Sequence, residues 1–120
     1  MAFNYKNIVP WGRNYDEYKK MFDLKDLKSS ILGCGDGPSS FNEEYTRKGG
    51  KVVSIDPIYN LSREEIEERI EETRADVLAQ TEKNKDKFVW SDIRSVEELE
   101  KIRMGAMKIF LNSYLVFIYR

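Results

Sequence analysis

The sequence contains no histidine and one cysteine, Cys34. Without histidine, a Ser-His-Asp triad, a Cys-His pair and any histidine-based metal site are excluded. A single cysteine rules out an internal disulfide and a cysteine-based structural zinc site, and no metal centre is expected. An excess of either charge is also missing. Twenty Lys and Arg against 21 Asp and Glu leave a formal net charge of −1, so there is no electrostatic footprint for nucleic acid or an anionic membrane. No apolar run reaches the roughly 18–20 residues of a membrane span, and the N-terminal residues lack the apolar region of a signal peptide. The expectation is a cytoplasmic protein without a nucleic-acid or membrane partner.

What is present fits one domain. The chain has 120 residues, enough for a real core and too few for two ordinary domains. Hydrophobic residues make up 41% and charged residues 34%, a globular mixture. Residues 1–29 read as a leader and one helix. Pro10 and Gly12 break regular structure early, and Asn14 with Glu17 predicts a capping box ahead of an apolar stripe of Tyr15, Tyr18, Met21 and Phe22. Residues 30–112 read as βα units. A first strand opens at Ser30, and a glycine-rich turn follows at residues 33–37. Pro38 then suits the first turn of a helix carrying Phe41 and Tyr45 inward, with an end near Gly49-Gly50.

Residues 51–56 predict a buried strand stopped by Pro57. Ser62 with Glu65 caps a helix with Ile66, Ile70, Val77 and Leu78 on one face. Its other face, with Glu64, Glu67, Glu68, Glu71 and Glu72, reads as solvated. Phe88-Val89-Trp90 predicts a third strand. Ser95 with Glu98 opens a helix with Leu99, Ile102 and Ala106 inside. Residues 113–120 form an apolar tail: Ile109, Phe110 and Ser113 could extend the helix, and residues 115–119 could form a fourth strand. The alternation of helices and strands predicts an α/β fold with a parallel sheet and helices on both faces.

The pattern Gly33-x-Gly35-x-Gly37 carries the functional signal. An apolar run feeds a glycine turn, and about twenty residues later a second apolar run ends in Asp56, the layout of a nucleotide-type pocket. Pro38 stands where a dinucleotide fingerprint needs its third small residue. A phosphate loop needs Gly-Lys-Ser/Thr, and here Gly37-Pro38-Ser39 has no lysine. Cys34 reads as a small buried residue of a crowded turn, with a reactive thiol as the sharper alternative.

The remaining G-x-G-x-G resembles motif I of the class I S-adenosylmethionine-dependent methyltransferases. Asp56 matches their motif II acid, which binds the ribose hydroxyls, and Asp92, after Phe88-Val89-Trp90-Ser91, matches the acid that meets the adenine amine. Val9-Pro10-Trp11-Gly12-Arg13, Ser39-Ser40-Phe41-Asn42 and Asp56-Pro57-Ile58-Tyr59 look like one uncharacterised subgroup of that family. The resemblance covers roughly residues 9–111, the front half of the family's fold. It implies a three-layer Rossmann-like, mostly parallel sheet, shortened here to about three or four strands in a single domain over residues 1–120. It also implies S-adenosylmethionine as cofactor, with S-adenosylhomocysteine as product. Gly33, Cys34, Gly35, Gly37, Asp56, Pro57, Asp92 and Ile93 would surround the ligand, and Arg13 could reach its carboxylate.

Two departures accompany the resemblance. The family carries an acid where this chain has Gly33, and Asp36 stands at a different point of the turn. The family also continues through four more strands that supply catalytic groups, so the resemblance implies a shortened form and assigns no catalytic residue or methyl acceptor. A first strand lacking its fourth-strand neighbour would leave an open sheet edge. With the aromatic tail, that edge implies a homodimer, and a non-catalytic partner-binding module is the alternative function.

Overall fold

The computed structural model describes residues 9–24, 30–87 and 93–114. Its organisation follows the turn between two strands. Strand β1 (Ser30–Cys34) pairs in parallel with β2 (Lys51–Ile55), Ile31 beside Val52 and Gly33 beside Ser54. Between them runs helix α2 (Phe41–Arg47), and ahead of them helix α1 (Tyr15–Met21). After β2 come a short 3-10 turn (Pro57–Asn60), the long helix α3 (Arg63–Lys83), a second 3-10 turn (Lys85–Lys87) and helix α4 (Val96–Ser113). The chain is therefore α/β, with four helices and a two-stranded parallel sheet among the described residues. The expected third strand at residues 88–90 and the strand option at residues 115–119 lie outside them.

Local chemistry sets the helix ends. Asn14 Oδ1 accepts the Glu17 N–H at 2.9 Å and Glu17 Oε1 accepts the Asn14 N–H at 3.1 Å, the reciprocal box expected from the sequence. Ser62 and Glu65 repeat it at the start of α3. At Ser95 only half of the box forms, the Ser95 hydroxyl accepting the Glu98 N–H. Helix α2 begins later than Pro38 suggested, with Ser40 as its N-cap. Pro38, Ser39 and Ser40 are instead buried in the approach to the helix. There the Ser39 hydroxyl donates to the Arg13 carbonyl at 2.6 Å and accepts the Phe41 N–H at 3.1 Å. The end of α4 is settled as helix through Ser113.

Two aromatic clusters form the core. Tyr15, Phe41 and Tyr45 bury beneath the sheet with Ile31 and Val52 against them, their rings stacked in series at 5.8 and 5.4 Å. Ile58, Tyr59, Ile66, Ile70, Met107, Phe110, Leu111 and Tyr114 form the second, between the 3-10 turn, α3 and α4. Of the expected inward residues of α4, Ala106 is buried, whereas Leu99 and Ile102 are only half-buried. With Ala106 the helix also buries Arg103, Met107, Phe110 and Leu111, a stripe at three- and four-residue spacing.

Strand β2 is not buried on both faces as its apolar run implied. Leu32, Val53 and Ile55 remain 63%, 57% and 40% exposed. Side chains alternate across a strand, and α2 packs on the face that carries Ile31, Val52 and Ser54. No helix among the described residues is long and apolar enough to cross a membrane.

Candidate cofactor site

The turn after β1 is shaped by glycines that no other residue replaces cheaply. Gly35 and Gly37 have φ of +70° and +60°, in the left-handed region where a side chain is strained. Gly35 N–H donates to the Ile55 carbonyl at 2.7 Å, extending the sheet by one rung. Gly37 N–H donates to Asp56 Oδ2 at 3.0 Å, and Gly37 carbonyl accepts the Tyr59 hydroxyl at 2.7 Å. The second oxygen of Asp56 accepts the Ile58 N–H at 2.9 Å and caps the 3-10 turn. Each Asp56 oxygen thus holds one backbone N–H and keeps acceptor capacity.

Gly33 has a different reason to be glycine. A β-carbon there would lie 2.0 Å from Asp36 Oδ2. The Asp36 carboxylate folds back into the space that a side chain at position 33 would occupy. Three elements hold it: the Tyr18 hydroxyl of α1 donates to Oδ1 at 2.9 Å, and the Ser54 hydroxyl of β2 donates to Oδ2. Asn42 Nδ2 of α2 in turn donates to Ser54 Oγ at 3.0 Å. Burial, first of all, pushes the Tyr18 phenol above its usual range; a hydrogen bond with Ser39 opposes this, and the charge of and hydrogen bond to Asp36 add to it. Tyr18 therefore stays protonated and acts as a donor.

A cavity of about 310 Å³ opens over this turn. Gly35, Asp36, Gly37, Asp56 and Pro57 form one side and Trp11, Arg13 and Tyr18 the other. A second cavity of about 450 Å³ shares Gly35, Asp56 and Pro57 and extends along Ile55, Tyr59 and Asn60. The leader is fixed as the outer wall: the Arg13 carbonyl accepts the Ser39 hydroxyl and the Ser40 N–H, the latter at 3.1 Å. Gly12 makes that approach, since a β-carbon there would lie 1.9 Å from the Pro38 carbonyl oxygen.

Of the residues expected at the site, the structure brings Arg13, Gly35, Gly37, Asp56 and Pro57 to one cavity. Gly33 lies beneath the Asp36 carboxylate. Cys34 is neither buried nor in the turn: it closes β1, is exposed, and lines neither cavity. The alternation of the strand turns it to the same side as Leu32, away from α2. Ile93 is half-buried and lines neither cavity. Asp92 lies outside the described residues.

A relative of this chain is an uncharacterised protein of the archaeon Methanocaldococcus jannaschii. It is 38% identical over 118 aligned positions, which cover 92% of this chain and 52% of the relative. The chain thus spans about half the length of that relative. No family model matches the chain, and no solved structure matches it significantly.

Two contributors escaped the sequence reading, and a third, Asp36, was read only as an acid out of the family's position. Tyr18 sits at helical spacing from Tyr15 and Phe22 and reads as packing, which its stacked ring does provide against Phe41 at 4.5 Å. Its hydroxyl role carries no sequence signal. Tyr59 lies three residues after Asp56, and only the 3-10 turn between them brings its hydroxyl back to Gly37. For Asp36 a signal exists: an acid three residues after a glycine that replaces an acid invites the question of whether its carboxylate folds back.

Proposed function

We propose that this chain is a methyltransferase-like domain that binds S-adenosylmethionine in the cavity above the Gly35–Gly37 turn. The observation that carries the reading is the convergence of that left-handed glycine turn and the Asp56 carboxylate on one cavity, with a second carboxylate, Asp36, in the side-chain space of Gly33. Gly35 and Gly37 let the backbone approach the methionine and ribose portions. Asp56 uses its free acceptor capacity for ribose hydroxyls, and Asp36 takes the place of the family's first-strand acid. The Arg13 guanidinium faces the ligand carboxylate from the leader. The adjoining cavity along Ile55, Tyr59 and Asn60 takes the base; each of the two cavities is at the small end of the range for drug-sized ligands.

Methyl transfer from the sulfonium to a nucleophile requires chiefly alignment, which is a positioning task. The finer fold in this reading is the Rossmann-like, mostly parallel sheet of that family.

Titration calorimetry with S-adenosylmethionine tests the reading. Wild type is expected to bind, and Asp56→Ala and Asp36→Asn each to weaken binding about tenfold or more, the equivalent of one charge-assisted hydrogen bond. Equal binding by wild type and both variants removes the site assignment.

A second reading, a partner-binding or dimerising module, is favoured by one observation, the exposed apolar stripe on the sheet. Light-scattering mass decides it: a dimer converted to monomer by the double variant Leu32→Lys, Val53→Lys supports it, and a monomeric wild type counts against it.

A further inference from the structure

The glycine turn is held at both of its polar groups by one short stretch of chain. Asp56 takes the N–H of Gly37 and Tyr59 takes its carbonyl. Tyr59 is 2% exposed, so its ring is held by the surrounding packing. Its ring lies 6.0 Å from those of Phe110 and Tyr114, on and just after the last turn of α4. The Tyr114 hydroxyl then donates to the carbonyls of Tyr59 at 3.0 Å and Leu61 at 2.7 Å. A continuous buried path therefore runs from the C-terminal end of α4 through Tyr114 and Tyr59 to Gly37.

We propose that Tyr59 is the positioning residue of the ligand-binding turn and that Tyr114 places Tyr59, so that the packing of the end of α4 sets the affinity of the cavity. The ligand half of this inference rests on the S-adenosylmethionine reading above; the positioning half does not. The physical argument is one of competing conformations. Glycines at φ of +70° and +60° have a wide choice of backbone states. The bonds to Asp56 and Tyr59 select one of them. Removing the Tyr59 hydroxyl leaves Gly37 tethered at its N–H alone and its carbonyl free to rotate, which disorders the surface the ligand meets while the Tyr59 ring stays packed. Removing the Tyr114 hydroxyl takes two hydrogen bonds from the segment that carries Tyr59 and acts on Gly37 in the same direction, at one remove.

Two readouts on Tyr59→Phe, Tyr114→Phe and a core control, Ile66→Val, test this. In the ligand-free protein, amide exchange of Gly37 is expected to rise about three- to tenfold in Tyr59→Phe, the equivalent of one neutral hydrogen bond. It should rise less in Tyr114→Phe and stay unchanged in Ile66→Val, which lowers general stability from within the same core cluster but leaves every hydrogen bond of the path in place. Gly37 exchange that rises no more in Tyr59→Phe than in Ile66→Val overturns the positioning role. With S-adenosylmethionine, Tyr59→Phe is expected to weaken binding in the same proportion while Ile66→Val binds like wild type. Equal affinity in wild type and Tyr59→Phe overturns the link to the ligand. A wild type that takes up no S-adenosylmethionine overturns the cofactor reading, and the exchange data still decide whether Tyr59 positions the turn.

Discussion

At the scale of single residues, the site depends on side chains that do two things at once. Tyr18 stacks on Phe41 and donates its hydroxyl to Asp36. Its burial beside that carboxylate makes ionisation harder in the folded state than in the unfolded chain. The sign follows from proton binding. Above the ordinary phenol value of about 10 the unfolded chain releases this proton and the folded one keeps it, so the Tyr18 contribution is complete below pH 10 and is lost as pH rises further. We expect wild-type stability to fall with pH above about 10 more steeply than that of Tyr18→Phe, measured by urea unfolding at a series of alkaline pH values. The residues whose identity declares a backbone need were legible: Gly35, Gly37 and Asp56 announce a turn and an acceptor by type and spacing. Tyr18 and Tyr59 were not, and Asp36 only in part, because their roles come from where the chain folds back and not from where they stand in it.

At the scale of elements, capping signals were the most legible, since a cap is settled within four residues: Asn14 with Glu17 and Ser62 with Glu65 form as read. The start of α2 was misread because Ser39 and Ser40 serve a distant partner, the Arg13 carbonyl, before they serve the helix. Helix α1 is only seven residues long, too short to stand by itself, and its position comes from charged fasteners. Glu44 accepts the Tyr15 N–H at 2.8 Å and the Ser40 hydroxyl at 2.7 Å. Arg103 of α4, its side chain 7% exposed, pairs with Glu17, and its Nε has no hydrogen-bond partner among the described residues. Glu17→Ala is therefore expected to lower stability by about 3–5 kcal/mol, since it strands a buried guanidinium and also removes a cap. Arg103→Met leaves Glu17 its bond to Asn14 and should have a clearly smaller effect. Chemical denaturation of the two variants checks the order.

At the scale of the whole molecule, the α/β class was legible from alternating patterns, but how much of the sheet is covered was not. Val52 and Val53 read alike as apolar; one packs against the α2 layer and the other is 57% exposed. Whether a strand has one covered face or two is decided by elements elsewhere in the chain. Because Leu32 and Val53 are exposed, Leu32→Lys, Val53→Lys is expected to change stability by no more than about 1 kcal/mol, as for surface positions, whatever it does to the oligomeric mass. Thermal unfolding checks this.

The ion pair between Glu17 and Arg103 has a further consequence, for synthesis. Its partners are 86 residues apart, and the chain emerges from a ribosome at roughly 5–20 residues per second. The strands and glycine turn are therefore made seconds before the arginine that fastens α1, the helix that carries Tyr18 to the turn. During that interval the wall bearing Tyr18 lacks one of its fasteners, and the cavity becomes complete only when α4 has been added and packed.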